Sequence, residues 1–273
     1  MRPMTTPLLD ETLTQKVLAH LGVAPAALTI DLLDELVTAY TRAVPWESAS
    51  RIARRAETVE IDDCPRWPEE FWRQAFQRGT GGTCFESNYA FFSLLRALGY
   101  EGYLTINNMG EQLRCHTAIV ILLNGQRWLV DVGMPIYLPL PFGPESAEPR
   151  RTPFHTYTVR PDGPGRYQVE RAPHPHPNCF TLFDRPIPDA VYRAATTADY
   201  EPTGYFNDCV ILTKVIGDAI WRFNGIVPPL MESFVYGGRA DQPLADNYAE
   251  SVAVRFGIDA ALVRTALHLT GVE

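Results

Sequence analysis

The chain has 273 residues, of which 46% are hydrophobic and 21% are charged. This composition argues against a disordered protein and allows one large domain or two to three packed smaller ones. The formal net charge is -8, from 24 Lys and Arg against 32 Asp and Glu. Neither nucleic acid nor an anionic membrane is therefore an expected partner, and small molecules are expected instead.

The sequence contains no apolar run of 18 residues, and residues 1–7 lead into a charged helical pattern without the apolar centre of a signal peptide. Its five cysteines are widely spaced and form no Cys-x-x-Cys pair, which favours reduced thiols over a disulfide framework or a zinc ribbon. We therefore expect a cytoplasmic protein. The cysteines are Cys64, Cys84, Cys115, Cys179 and Cys209.

The first third of the chain has apolar residues at helical spacing, with Gly or Pro after the runs. Thr83 and Glu86 fit a capping box at the start of the fourth run, and Gly99 can end it. Cys84 then lies in the first turn of a helix, where backbone N–H groups and the helix dipole favour an anion such as a thiolate. The predicted helices span residues 10–21, 31–42, 68–78 and 84–98.

The middle of the chain changes to strand-like patterns. Asn124-Gly125 is a strong signal for a two-residue hairpin turn between two of the predicted strands. A later stretch, 139–177, is rich in Pro, Gly and Arg and predicts strands joined by irregular loops. The predicted strands span residues 103–106, 117–123, 126–132, 155–159, 210–215 and 219–223, and two further helices are predicted at 245–256 and 260–269.

The predicted hairpin brings two polar residues together. If residues 124–125 form the turn, Leu123 pairs with Gln126, and His116 and Asp131 then share one face in diagonal register. Their backbones are expected to lie about 7–8 Å apart, which an imidazole and a carboxylate can bridge. The sequence alone therefore predicts a His–Asp pair.

Cys84, His116 and Asp131 occur in an order that suits a Cys-His-Asp triad. In such a triad Cys84 attacks an acyl donor, His116 removes the thiol proton, and Asp131 fixes the imidazole tautomer. Cys115 points to the opposite face of its strand, and we interpret it as a small core residue rather than the nucleophile. Each triad residue taken alone is better explained as structural, but the combination favours catalysis.

The motifs resemble the arylamine N-acetyltransferase family. The resemblance is carried by Gly-Gly-Thr-Cys-Phe-Glu at 81–86, by His116 before an apolar strand, and by Leu-Val-Asp-Val-Gly at 129–133. It extends from Val-Pro-Trp-Glu-Ser at 44–48 to Arg-Phe-Gly-Ile at 255–258, and so covers nearly the whole chain.

The resemblance implies an α+β fold with a cysteine-protease-like Cys-His-Asp triad. Its parts are an N-terminal helical bundle at 1–99 carrying Cys84, a β-barrel-like domain at 100–200 carrying the other two triad residues, and a C-terminal α/β lid at 201–273. It also implies an acyltransferase that moves an acetyl group from acetyl-CoA, as co-substrate, through a cysteine thioester to an arylamine or arylhydrazine in a ping-pong cycle. No bound cofactor or metal is expected.

Two departures from the family pattern leave alternatives open. Thr80 stands where the family has Arg, so Arg78 is a candidate replacement as the partner of Glu47. Met134-Pro135 replaces Phe-Gly in the segment that the resemblance places at the acyl pocket and near the coenzyme, and Pro lacks an N–H donor. A related amide synthase using another thioester donor is therefore the first alternative.

Less favoured alternatives are a hydrolase with the same triad and a non-catalytic binder of small molecules on the same scaffold. A metal site is suggested weakly by His-Pro-His at 174–176 together with Cys179. We expect a solvated loop there, because the segment is constrained by proline and has no acidic companions.

Overall fold

A computed structural model of the chain describes residues 9–134, 136–145, 148–244 and 248–272. The described helices lie mainly in the first hundred residues and at the C-terminal end. They are α1 (Glu11–Leu21), α2 (Ile30–Ala43), α3 (Ala49–Glu57), α4 (Pro68–Arg78), α5 (Cys84–Leu98), α6 (Asp189–Ala198), α7 (Tyr248–Phe256) and α8 (Ala260–Leu269), with a short 3-10 turn at Ile61–Asp63.

Local sequence explains the ends of the early helices. The Asp10 carboxylate accepts a hydrogen bond of 2.6 Å from the Leu13 N–H and so caps α1. Gly22 and Gly79 adopt left-handed conformations, with φ of 71° and 64°, that end α1 and α4. The predicted bounds of α4 are confirmed, and those of α1 and α2 shift by one residue.

Helix α5 is the central helix of the N-terminal half, and its residues from Cys84 to Leu95 are all buried. The helix begins at Cys84 as predicted, but the predicted capping box is wrong. The Thr83 side chain makes no capping hydrogen bond, and the Glu86 carboxylate binds Arg66 instead. A buried carboxylate and a buried guanidinium stabilise each other, and this ion pair outweighs the local capping interaction.

The middle of the chain forms an eight-stranded sheet. Its strands are β2 (Glu101–Met109), β3 (Gln112–Leu123), β4 (Gln126–Val130), β5 (Leu140–Phe142), β6 (Arg150–Arg151), β7 (Thr156–Pro161), β8 (Arg166–Ala172) and β9 (Asn178–Phe183). The order across the sheet is β5-β4-β3-β2-β9-β8-β7-β6. The sheet curls so that β5 packs near β7, which gives a barrel-like shape.

The predicted hairpin is the β3–β4 pair, and its register is confirmed. Leu123 pairs with Gln126, and the turn residues Asn124 and Gly125 both have positive φ, 52° and 75°. Two left-handed residues match the turn type that suits the twist of a hairpin. Strand β4 ends at Val130, so the predicted strand is two residues too long at this end.

A second sheet has five strands, which are β1 (Trp46–Glu47), β10 (Ile211–Ile216), β11 (Ala219–Asn224), β12 (Leu230–Val235) and β13 (Gly238–Pro243). Their order across the sheet is β1-β10-β11-β12-β13. Strand β1 comes from the N-terminal part of the chain, where Trp46 pairs with Thr213. Helices α3, α7 and α8 supply buried residues to the core beside this sheet.

The α+β architecture predicted from the sequence is confirmed, whereas α3, α6, β1, β9, β12 and β13 were not predicted. Helix α3 carries one large apolar residue, Ile52, and its pattern depends on arginines, so the sequence shows no apolar stripe that would predict a helix. Helix α6 packs Tyr192 into the core of the N-terminal helices, and α3 packs Ile52 into the C-terminal core. The division into 1–99, 100–200 and 201–273 stays a prediction.

In the described part of the chain, the helices are too short or too polar to cross a membrane. Two expectations fall partly outside the described residues: the beginning of the predicted helix at 245–256, and Pro135 of the Met134-Pro135 pair.

Candidate active site

Cys84, His116 and Asp131 are brought to one place, where the start of α5 meets β3 and the end of β4. Only 6% of Cys84, 2% of His116 and 0% of Asp131 is exposed. The Nε2 atom of His116 lies 2.6 Å from Oδ2 of Asp131. Because an ionised carboxylate only accepts hydrogen bonds, the imidazole N–H is the donor.

Cys84 contacts the residues on both sides of His116. Its sulfur lies 3.6 Å from the Cys115 carbonyl oxygen. Its own carbonyl oxygen accepts a 2.9 Å hydrogen bond from the Thr117 hydroxyl. The helix that carries the thiol is therefore fixed against the strand that carries the imidazole.

The Asp131 carboxylate is held by several donors besides the imidazole. Its Oδ1 atom accepts hydrogen bonds from the backbone N–H groups of Gly133 and Met134, at 2.8 and 2.9 Å. The Asn88 side-chain amide donates a third, at 3.1 Å. These contacts keep the carboxylate in one orientation, which in turn orients the ring of His116.

Asn88 also belongs to the site, although it was not predicted from the sequence. Its amide nitrogen also donates to the Thr117 carbonyl oxygen at 2.8 Å, and its amide oxygen accepts from the Val132 N–H at 3.0 Å. It therefore connects α5 to β3 and to the segment that follows β4. The available signal was its spacing, since a residue four positions after Cys84 lies on the same face of a helix.

Two aromatic residues complete the surroundings of the site. The Tyr192 hydroxyl lies 2.8 Å from the Phe85 carbonyl oxygen and 3.1 Å from the Thr117 hydroxyl, which links α6 to α5 and β3. The Phe180 ring lies 4.6 Å from the His116 ring, measured between centroids. Both aromatic residues are buried, and the ring of Phe180 shields the imidazole of His116 from water.

Gly133 allows the hairpin to approach the cysteine closely. A Cβ atom at this position would lie 2.5 Å from Cys84 Cα, 2.6 Å from Cys84 Cβ and 2.6 Å from the Asn88 amide nitrogen. Real side chains do not tolerate such distances. Packing against α5 therefore requires glycine at position 133.

Opposing effects act on the Cys84 thiol. Burial raises its pKa, and the charges of Asp199 and Asp131 raise the pKa further. The position in the first turn of α5 acts in the opposite direction. The helix N-terminus by itself therefore does not supply a thiolate, and the thiol needs a neighbouring base.

Cys115 differs from its predicted environment. It is partly exposed rather than part of the core, and its sulfur lies 3.4 Å from the Gln112 carbonyl oxygen. The expectation of a small core residue is therefore wrong. Strand β3 extends to Gln112, past the β-bulge between Asn107 and Met109 of the neighbouring strand β2. This end of β3 therefore lies outside the packed centre of the sheet.

Arg78 is not the partner of Glu47, so that expectation is also wrong. The Arg78 guanidinium pairs with Asp259 at 2.8 Å, and its side chain is 42% exposed. The Glu47 carboxylate accepts hydrogen bonds from the Gly81 N–H at 3.2 Å and from the Ser50 N–H at 2.8 Å. Arg78 ends α4 and points toward α8, which determines its partner.

Met134 is half-buried and packs against the core of the eight-stranded sheet. The His-Pro-His segment lies between β8 and β9, where the ring of His174 bonds the backbone of His176 at 2.9 Å. Across the described ranges, no group of three or more His, Cys, Asp or Glu side chains is arranged to hold a metal ion.

The fold and the site place the chain in a class of α+β proteins in which a buried cysteine at a helix start lies against a hydrogen-bonded His–Asp pair. A family model described as N-acetyltransferase matches residues 29–226. The chain belongs to this family, that of the arylamine N-acetyltransferases, and is an acyltransferase.

Two relatives match the chain at comparable identity but over different lengths. An arylamine N-acetyltransferase from Mycobacterium bovis is 27% identical over 248 residues, which are 85% of this chain and 84% of the relative. Proansamycin X synthase from Amycolatopsis mediterranei is 28% identical over 127 residues, 44% of each chain.

Solved structures show the same fold. The arylamine N-acetyltransferase of Mycobacterium marinum superposes with a TM-score of 0.80 at 22% identity, over 95% of this chain and 99% of that one. Its complex with CoA superposes over the same shares of the two chains, with a TM-score of 0.78 at 20% identity.

Proposed function

We propose that the protein transfers an acetyl group from acetyl-CoA to an arylamine or arylhydrazine, with Cys84 as nucleophile, His116 as base and Asp131 as the residue that orients the base. The observation that carries this proposal is the 2.6 Å hydrogen bond between His116 and Asp131. His116 lies on strand β3, and its two neighbours in that strand, Cys115 and Thr117, contact Cys84.

The first half of the cycle forms a thioester. With its Nε2–H donated to Asp131, the neutral imidazole of His116 has its lone pair on Nδ1. This nitrogen takes the proton from the Cys84 thiol, and the sulfur attacks the acetyl carbonyl carbon. The new bond joins Cys84 Sγ to the acetyl group, the bond to the CoA sulfur breaks, and the CoA thiolate leaves with the proton from His116.

The second half transfers the acetyl group to nitrogen. The amine attacks the thioester carbonyl, His116 takes a proton from the amine nitrogen, and the bond to Cys84 Sγ breaks. The proton returns to the sulfur, which restores the thiol. Exchange of one thioester for another changes the free energy little, so amide formation is the demanding step. Holding the amine close to the thioester accelerates this step.

The cycle uses acetyl-CoA as a co-substrate and needs neither a bound cofactor nor a metal. The similarity to the Mycobacterium marinum fold that was solved with CoA supports the choice of donor. We also place the protein in the cytoplasm, in keeping with its five free cysteines.

A second candidate function is an amide synthase that takes its acyl group from another thioester. The partial match to Proansamycin X synthase favours it. Met134 also supports it, since this half-buried residue, whose N–H donates to the Asp131 carboxylate, replaces the Phe of the family pattern. The two functions share Cys84 chemistry and differ in the donor.

Intact-protein mass spectrometry tests the proposal. Wild type, Cys84→Ala and the matched control Cys115→Ala are mixed with acetyl-CoA, and hydralazine is then added. We expect one acetyl group on wild type and on Cys115→Ala, none on Cys84→Ala, and discharge to acetylated hydralazine.

Each other result has a defined meaning. Acetylation of Cys84→Ala contradicts Cys84 as the nucleophile. An unacetylated wild type whose Cys84 is readily alkylated contradicts acetyl-CoA as donor and favours the amide synthase. Rapid release of acetate without an amine indicates a hydrolase.

A further inference from the structure

The backbone of Gly81, three residues before Cys84, is held by side chains of opposite charge. Its N–H donates to the Glu47 carboxylate at 3.2 Å, and its carbonyl oxygen accepts from Nη2 of Arg66 at 2.8 Å. A Cβ atom at residue 81 would lie 1.6 Å from the Pro45 carbonyl oxygen, so only glycine fits at this position. The two charged groups therefore fix the two peptide units on either side of Gly81, in the segment that leads into α5.

Arg66 is almost fully buried, with 1% of the residue exposed. Its Nε donates to Oε2 of Glu86 at 3.1 Å, its Nη2 contacts the same oxygen, and its backbone N–H donates to Oε1 at 2.8 Å. Glu86 lies in the first turn of α5, two residues after Cys84. Arg66 thus binds both Gly81, three residues before the helix, and Glu86 in the first turn of the helix.

The charges of this pair are maintained in the interior. Burial would raise the pKa of Glu86, but Arg66 outweighs it and lowers that pKa. Burial would likewise lower the pKa of Arg66, but Glu86, Tyr200 and Glu47 raise it. The ion pair is therefore intact at neutral pH, and it compensates a carboxylate that would otherwise repel a thiolate in the same helical turn.

The pair continues into the segment after α6. The Tyr200 hydroxyl donates to Oε1 of Glu86 at 2.6 Å, and the Arg51 guanidinium lies 4.0 Å from the centre of the Tyr200 ring. Arg51 in turn pairs with Asp199 at 2.9 Å. A buried chain of contacts thus connects α3, the segment after α6 and the start of α5.

We propose that Arg66 is a positioning residue for Cys84, which holds the Gly81–Gly82 peptide and the first turn of α5 so that the thiol faces its base. This inference rests on the proposed role of Cys84 as the nucleophile. Arg66 acts through the backbone and through Glu86, and it is not assigned a contact with substrate. The guanidinium bonds Glu86 through Nε and Nη2, the Gly81 carbonyl oxygen through Nη2 and the Gln74 amide oxygen through Nη1. Lys cannot replace it fully, because one ammonium group does not reproduce this planar arrangement of donors.

The test measures alkylation of Cys84 by iodoacetamide as a function of pH, quantified on the Cys84 peptide after digestion. The variants are Arg66→Gln, Arg66→Lys and the double variant R66Q/E86Q, in which the buried charges are removed together. Arg78→Gln is the matched control, since Arg78 is another ion-paired arginine close in sequence but lies at the surface. Thermal unfolding of each variant is measured in parallel.

We expect iodoacetamide to alkylate Cys84 about 10- to 100-fold more slowly in the folded R66Q/E86Q variant than in wild type at pH 7, because the displaced thiol no longer faces its base. Arg66→Lys is expected to lie between them, and Arg78→Gln to match wild type. A purely structural role predicts a lower unfolding temperature with an unchanged alkylation profile.

The proposal is overturned if R66Q/E86Q reacts like wild type, or if Arg78→Gln is slowed as much as the Arg66 variants. If the glutamine variants do not fold, a folded Arg66→Lys with the wild-type profile overturns it equally. Alkylation does not depend on acetyl-CoA. An unacetylated wild type therefore contradicts the proposed function while leaving the Arg66 comparison valid.

Discussion

The His116 Nε2 atom lies 2.6 Å from the Asp131 Oδ2 atom, although the two residues are 15 positions apart and only His116 lies within a strand. The hairpin register brings them to the same face, and the end of β4 at Val130 lets the carboxylate turn toward the ring. Its other oxygen is then available to backbone N–H groups and to Asn88. This arrangement explains the orientation of the proposed base, and it leads to the following expectations.

Asn88→Ala is expected to lower kcat/KM for acyl transfer by about 10- to 100-fold, because it frees both the Asp131 carboxylate and the hairpin from α5. Loss of partners for buried polar groups should also lower the free energy of unfolding by about 1–3 kcal/mol. Steady-state kinetics and urea denaturation measure the two effects.

The matched control is Ser93→Ala on the same helix. The Ser93 hydroxyl is buried and has no hydrogen-bond partner among the described residues, so its removal should leave both quantities near wild type. An Asn88→Ala variant with wild-type kcat/KM contradicts the role of Asn88.

Gly133→Ala is expected to impair acyl transfer, because its Cβ would lie 2.5 Å from Cys84 Cα and force α5 or the hairpin to move. We expect at least about a tenfold loss in kcat/KM, together with a lower unfolding temperature. Gly143→Ala is the matched control, since nothing lies within 4 Å of its added Cβ. Equal activity of the two variants contradicts the close approach.

His116→Ala is expected to shift the pH profile of Cys84 alkylation upward. Once the base is removed, burial, Asp199 and Asp131 remain and raise the pKa of the thiol above its ordinary value of 9.0. The alkylation rate at pH 7 should fall at least about tenfold, because only the thiolate reacts. His268→Ala, at an exposed position in α8, should keep the wild-type profile, and an unchanged profile in His116→Ala removes the imidazole from thiol activation.

His155 is expected to make the fold sensitive to acid. Burial, followed by the charges of Arg171 and His174, lowers its pKa to about 4 from 6.5. The unfolded chain therefore binds more protons than the folded chain between these values, and the free energy of unfolding falls as the pH falls from 6.5 to 4.

Urea denaturation at several pH values measures this dependence. His155→Gln should flatten the decline between pH 6.5 and 4 while leaving the slope above pH 7 unchanged. A variant whose stability declines as steeply as that of wild type assigns the acid sensitivity to other groups.

Several features of the site were determined by the sequence alone. The turn at Asn124-Gly125 fixed the hairpin register, and with it the shared face of His116 and Asp131, because a two-residue turn leaves one pairing for the strands that flank it. Helical periodicity and Gly99 likewise predicted the body and the end of α5, whereas its start at Cys84 was predicted from a capping box that does not form. These are local interactions, in which the residues that decide the structure are close in sequence.

The tertiary structure alone decided which partners the buried polar groups have. Glu86 fits a capping box by its spacing from Thr83, yet it binds Arg66, 20 residues away. Arg78 is the basic residue nearest in sequence to the Gly81 loop, yet it pairs with Asp259 at the other end of the chain. A buried charge takes the partner that the packed elements bring within reach, and that choice depends on how helices and sheets are placed relative to one another, which local sequence does not encode.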